Sequence, residues 1–66
     1  MEMIRVSSSA IRAIGYDAAS RRMRITFTEG HTYDFCGVPI SVFNGLLHAG
    51  SKGRYYNDNI RDRYQC

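Results

Sequence analysis

One stretch, Arg21 to Pro39 (RRMRITFTEGHTYDFCGVP), constrains this chain more than any other. It reads as a β-hairpin, and only one register keeps its large apolar residues together. A two-residue loop at Glu29-Gly30 pairs Phe27 with Thr32 and Ile25 with Asp34, mixing apolar and polar groups on each face. A three-residue loop, Thr28-Glu29-Gly30 with Gly30 at positive φ, pairs Phe27 with His31, Ile25 with Tyr33 and Met23 with Phe35 instead. All the large apolar side chains then share one face, and a slip of one residue would turn them outward. The opposite face gains two favourable cross-strand pairs, Arg24 with Asp34 and Thr26 with Thr32.

The rest of the chain arranges itself around this hairpin. Residues 11–16 (IRAIGY) read as a preceding strand with Ile14 and Tyr16 on one face, the small Ala13 and Gly15 on the other suiting close packing on a helix. Asp17-Ala18-Ala19-Ser20 is the turn between them, with Asp17 bonding the backbone. Upstream, Ile4 and Val6 supply an edge strand or an apolar anchor, and Ser7-Ser8-Ser9 form a polar break. Val38-Pro39 ends the hairpin and starts a helix, proline being pre-organised for a first turn. Val42, Phe43, Leu46 and Leu47 make its apolar stripe. That stripe should cover Met23, Ile25, Phe27, Tyr33 and Phe35. Gly45 allows close approach to the sheet, and Gly50 is the expected left-handed C-cap. In residues 51–66, Ser51 can cap a further helix that places Tyr56, Ile60 and Tyr64 on one face. Gly53 and Asn57-Asp58-Asn59 favour a short helix broken by a turn. The expected fold is therefore α+β: a three-stranded antiparallel meander (about 11–16, 22–27 and 31–37) packed on a helix (about 39–49), with a short helical or irregular C-terminal segment, all in one domain over residues 1–66.

At 66 residues the chain can bury only a small core, about 60% of its extended surface. An apolar fraction of 44% still argues for a folded chain. No apolar run approaches the roughly 20 residues of a membrane span, and no stretch reads as a signal peptide, so cytoplasmic residence is the expectation. Cys36 and Cys66 do not make a disulfide framework. Pairing them would staple a fraying tail, and both are expected to be reduced. With His31 and His48 they match no zinc-site spacing, so no metal or other cofactor is expected.

Catalysis finds little support. The acids are scattered among arginines, His31 flanks the hairpin loop, and His48 lies at a helix C-terminus where a cation suits the dipole. The serines lack a nucleophile elbow, and no Walker loop, dinucleotide fingerprint or H-E-x-x-H motif occurs. Binding is better supported. The net charge is +3. The C-terminal segment interleaves Lys52, Arg54, Arg61 and Arg63 with Tyr55 and Tyr56, cations for phosphate and rings for unpaired bases. The competing structural reading places Tyr55 or Tyr56 at the core edge and pairs the arginines with Asp58 and Asp62, including Arg61 with Asp58.

Taken together, Ser8-Ser9, Ile14-Gly15-Tyr16-Asp17, Gly30 followed by Tyr33-Asp34-Phe35, and Val38-Pro39 make a specific pattern. Phe43, Leu46, Ala49, Ser51, Gly53, Tyr56-Asn57, Ile60-Arg61 and Tyr64 continue it. In this order and spacing it resembles the KTSC domain, a small unit at the C-terminus of some lysyl-tRNA synthetases that also stands alone in bacteria and phages. The resemblance spans about Val6 to Tyr64. Phe35 departs from it, standing where the family often has tyrosine; a hydroxyl is lost and the ring kept. The resemblance implies RNA contact, by association with a tRNA synthetase, and carries over no catalytic residue.

Two readings follow. The first is a non-enzymatic RNA- or single-stranded nucleic-acid-binding module using Lys52, Arg54, Tyr55, Tyr56, Arg61 and Arg63. The alternative is a protein-interaction or structural accessory module, a homodimer being one form of it, through an apolar patch or a free sheet edge. The direction in which Arg54, Arg61 and Arg63 point discriminates between them: convergence on one face beside an exposed tyrosine favours nucleic acid, and pairing with Asp58 and Asp62 favours a structural role.

Overall fold

The computed structural model describes all residues, 1–66. Its elements are β1 (Met3–Arg5), β2 (Ile11–Asp17), β3 (Arg22–Phe27), β4 (Thr32–Phe35), α1 (Ile40–His48) and α2 (Lys52–Asn59). The hairpin forms in the expected register. Met23 faces Phe35, Arg24 faces Asp34, Ile25 faces Tyr33 and Thr26 faces Thr32. The Phe27 amide donates to the His31 carbonyl at 2.9 Å, closing the loop, and Gly30 sits at φ 114°. On the polar face the Arg24 guanidinium grips the Asp34 carboxylate at 2.7 and 3.1 Å, and the Thr26 and Thr32 hydroxyls meet at 3.0 Å.

The sheet has four strands, not three, in the order β1-β2-β3-β4 and antiparallel throughout. The additional strand is β1, which pairs Met3, Ile4 and Arg5 with Gly15, Ile14 and Ala13. It explains the small side chains of β2. A side chain at Gly15 would run into Met3 Sδ and the Glu2 carbonyl oxygen, 2.7 and 2.9 Å from where its Cβ would stand. Gly15 thus makes room for the N-terminal strand and not for a helix, the partner expected for the small side chains of β2, and Ala13 pairs with Arg5 of the same strand.

The core lies on the other side of the sheet. Ile11, Ile14, Met23, Ile25 and Phe35 from the strands meet Val38, Phe43, Leu46 and Ile60. Seven of these nine side chains, Met23 and Ile25 among them, are fully excluded from solvent, and only Phe35 and Phe43 keep a trace of exposure. At about 25 cal/mol per Å² of apolar surface, each such side chain contributes roughly 2 kcal/mol before conformational entropy is charged against it. Tyr33 does not join them. It shares their face but remains 48% exposed, because β4 extends past the area that the helices cover. His31, beyond it, is also exposed and lies 3.1 Å from Glu29.

Local chemistry sets the connections. Asp17 accepts from the Ala19 amide and the Ser20 hydroxyl, which together order the β2–β3 turn and hold the carboxyl below its ordinary value, the Ser20 bond being the larger cause. Pro39 is the N-cap of α1, its carbonyl accepting from the Val42 and Phe43 amides. The C-cap is Ala49 in extended conformation, and Gly50 is not left-handed, contrary to expectation. Instead the Lys52 ammonium caps α1 by donating to the Ala49 carbonyl at 3.0 Å. Ser51 caps α2, accepting from the Arg54 amide.

Candidate nucleic-acid interface

Helix α2 carries four of the six candidate residues, and its packing divides them. Tyr55 points at α1. Its hydroxyl stands where a Gly45 side chain would be and donates to the Val42 carbonyl at 3.2 Å. Gly45 thus admits the neighbouring helix and not the sheet. Tyr56 points at the sheet, meeting Phe27 and Phe35 edge to face with ring centroids 5.0 and 6.0 Å away. Desolvation, the leading cause, raises the Tyr56 phenol above its ordinary value; Arg61 opposes the shift, and Asp62 and Tyr33 add to it. The hydroxyl is therefore a proton donor throughout the neutral range.

The cations divide as well. Lys52 is half-buried and spent on its carbonyl. Arg54, Arg61 and Arg63 are exposed. Arg54 approaches Asp58 at 3.8 Å and Arg61 approaches Asp62 at 4.0 Å, all four side chains well over half exposed. The pairing of Arg61 with Asp58 does not form. These long contacts in water contribute little and leave the guanidinium donors available. Arg63 has no acidic partner within salt-bridge distance.

The turn that holds Arg61 and Arg63 is tightly built. Ile60 is fully buried, and its amide and that of Arg61 both donate to the Tyr56 carbonyl at 2.9 Å. Asp62 adopts φ 63°, which redirects the chain toward β4. There the Cys36 amide donates to the Tyr64 carbonyl at 2.8 Å, and Cys36 and Cys66 are joined by a disulfide. The cysteines expected to be free are paired. The tail is not frayed: Ile60 anchors its start in the core, Tyr64 packs against that core, and the disulfide fastens its end.

An open groove of about 370 Å³ separates this tail from the hairpin, lined by Tyr33, Asp34, Phe35, Tyr56, Asp62, Gln65 and Cys66. Tyr33 is the aromatic side chain most open to solvent here, stacked beside His31 at 6.0 Å. The residue pattern had assigned Tyr33 to the core. Its alternation places it correctly on the apolar face, and no sequence signal marks where helical cover ends. No group of three or more His, Cys, Asp or Glu side chains is arranged to hold a metal ion. No helix is long and apolar enough to cross a membrane.

The family model of the KTSC domain matches residues 7–64. The chain belongs to the KTSC family. A crystal structure of a KTSC domain protein from Yersinia pestis superposes with a TM-score of 0.94 at 38% identity, covering 98% of this chain and 92% of that one. A protein of Tsukamurella paurometabola is 45% identical over 61 residues, 92% of this chain and 91% of that protein. The lysine–tRNA ligase of Nostoc punctiforme is 29% identical over 63 residues, which are 96% of this KTSC domain but 11% of that enzyme.

Proposed function

We propose that this KTSC domain is a non-enzymatic binding module that takes RNA or single-stranded nucleic acid on the exposed face of α2 and the turn after it. Arg54, Arg61 and Arg63 meet phosphate, exchanging their loose carboxylate contacts for it. Tyr55 acts by positioning α2 on α1. Lys52 contributes by capping α1 and only indirectly to charge. The ring offered to a base is Tyr33, across the groove from Tyr56, because Tyr55 and Tyr56 spend their faces on packing. The observation that carries this reading is the recurrence of the same unit inside lysine–tRNA ligases.

The test is fluorescence anisotropy of labelled single-stranded RNA and tRNA at two salt concentrations. Binding should weaken with salt, each phosphate contact adding about 0.7 to the slope of log K. Arg54→Ala/Arg61→Ala/Arg63→Ala should flatten that slope, and Tyr33→Ala should weaken binding while leaving it intact. Absence of binding at low salt, where screening is weakest, would reject nucleic acid and leave the protein-interaction reading. Two features support that alternative: β1 and β4 are edge strands, and Ile4 is 40% exposed on the first of them.

A further inference from the structure

We infer that the Cys36–Cys66 disulfide is a reversible redox latch on the C-terminal arm, residues 61–66, and not a staple on which the fold depends. Cys66 is exposed and Cys36 half-buried, so a thiolate can reach the bond. The bond joins residues 30 apart, the edge of β4 and the end of the arm. Between the fully buried Ile60 and that bond the arm has few other ties. These are the Arg61 amide on the Tyr56 carbonyl, the Arg63 amide on the Ile60 carbonyl, the Cys36 amide on the Tyr64 carbonyl, and the half-buried Tyr64 side chain. Gln65 is exposed. The buried core itself is assembled from strand residues, Val38, α1 and Ile60, and no residue of the arm belongs to it. Breaking it therefore converts the arm from ordered to mobile while the domain stays folded, an order–disorder switch confined to one segment.

The reductant is a dithiol. One of its thiolates attacks the exposed Cys66 sulfur, forming a mixed disulfide, and Cys36 leaves as a thiolate that takes a proton from water. The second thiol of the reductant, deprotonated, then attacks its own disulfide sulfur and releases Cys66. Two electrons pass to the protein and the dithiol becomes a cyclic disulfide. In the reduced state the tail end of the Tyr33–Tyr56 groove is unfastened, and Arg61 and Arg63 lose their fixed placement. The consequence for nucleic acid rests on the function proposed above; the latch does not.

The experiment is residue-resolved amide exchange by NMR on the full chain, oxidised and then reduced with dithiothreitol. The reporters are the Cys36 and Arg63 amides, with Ile14 and Ile25 as core references. Reduction should speed exchange at Cys36 and Arg63 by about tenfold or more beyond any change at the core amides, which stay the slower to exchange. Reoxidation should reverse the change, and Cys66→Ser should show the reduced pattern with or without dithiol. Two titratable thiols in the air-oxidised protein would overturn the inference. So would unchanged reporter exchange on reduction, or core exchange that speeds as much as that of the arm. Failure to bind RNA in either state would reject the function and leave these exchange results standing.

Discussion

The hairpin of β3 and β4 and the C-terminal arm are neighbours along one edge of the sheet, yet they are held by different physics. The hairpin is held by what its own sequence repeats. Its alternation selects the face, Gly30 supplies the turn, and Arg24 and Asp34 lie opposite each other. Residues 52–66 have no such internal logic. Their helix, α2, contains no fully buried residue, and a glycine lies in its first turn. What orders them is borrowed: the notch at Gly45, the Phe27 and Phe35 rings, the buried seat of Ile60 and the sulfur of Cys36. A segment that repeats a period carries its own structure, and one that does not must be read through its partners.

Four experiments test that contrast, in descending order of expected effect. Oxidised wild type should exceed Cys66→Ser in stability in urea denaturation by less than the about 3–4 kcal/mol that closing a loop across 30 residues gives, because the freed arm regains entropy in the folded state too. Dithiol should abolish the difference. A wild type insensitive to reductant would mean that the arm does not need its borrowed closure.

Next, Gly45→Val should cost about 1–3 kcal/mol, since the new side chain must displace the Tyr55 hydroxyl and the α2 helix behind it. Gly45→Ala should be unfavourable in the wild type. In a Tyr55→Ala background it should turn neutral or favourable, where only the helix propensity of alanine remains. Additivity of the two changes would show that the notch is not shared.

A smaller loss, about 1 kcal/mol, is expected for Tyr16→Phe, which removes the hydroxyl that donates to the Val38 carbonyl at 2.6 Å. The stacking of that ring on Phe43 should survive, so the slope of the urea transition should not change.

The smallest effect belongs to the hairpin's own ion pair. The Arg24 hydrogen bond, outweighing the cost of burial, holds the Asp34 carboxyl below its ordinary value of 3.8. The unfolded chain thus takes up the proton first. The contribution of Asp34 is complete above the ordinary carboxylate range and is lost as pH falls through it. Asp34→Asn should flatten the acid side of a stability–pH profile and leave the neutral side nearly level. A profile identical to wild type would show that the pair contributes nothing.

Candidate-site residues were legible in kind and less so in use. Interleaved bases and tyrosines at 52–64 marked the segment, and the structure places Arg54, Arg61 and Arg63 in solvent there. It gives Tyr55 and Tyr56 to packing instead. Both a stacking ring and a wedging ring are written as tyrosine, and only the facing notch or aromatic pair tells them apart. Tyr33 was misplaced for the opposite reason, since alternation reports a face and not the extent of its cover.

By itself the sequence determined the elements whose information is local: the hairpin register with its three-residue loop, the Asp17 turn, the apolar stripe of α1 and the capping of α2 by Ser51. Spacing also sufficed to place the chain in the KTSC family. Tertiary structure alone decided that β1 adds a fourth strand against Ala13 and Gly15, that Gly45 receives Tyr55, and that Lys52 closes α1 in place of Gly50. It also decided that Cys36 meets Cys66. Each of these joins residues distant in sequence whose types look unremarkable until their partners arrive. Periodicity is a property of one segment, whereas a notch, a cap from the next helix or a disulfide is a property of two.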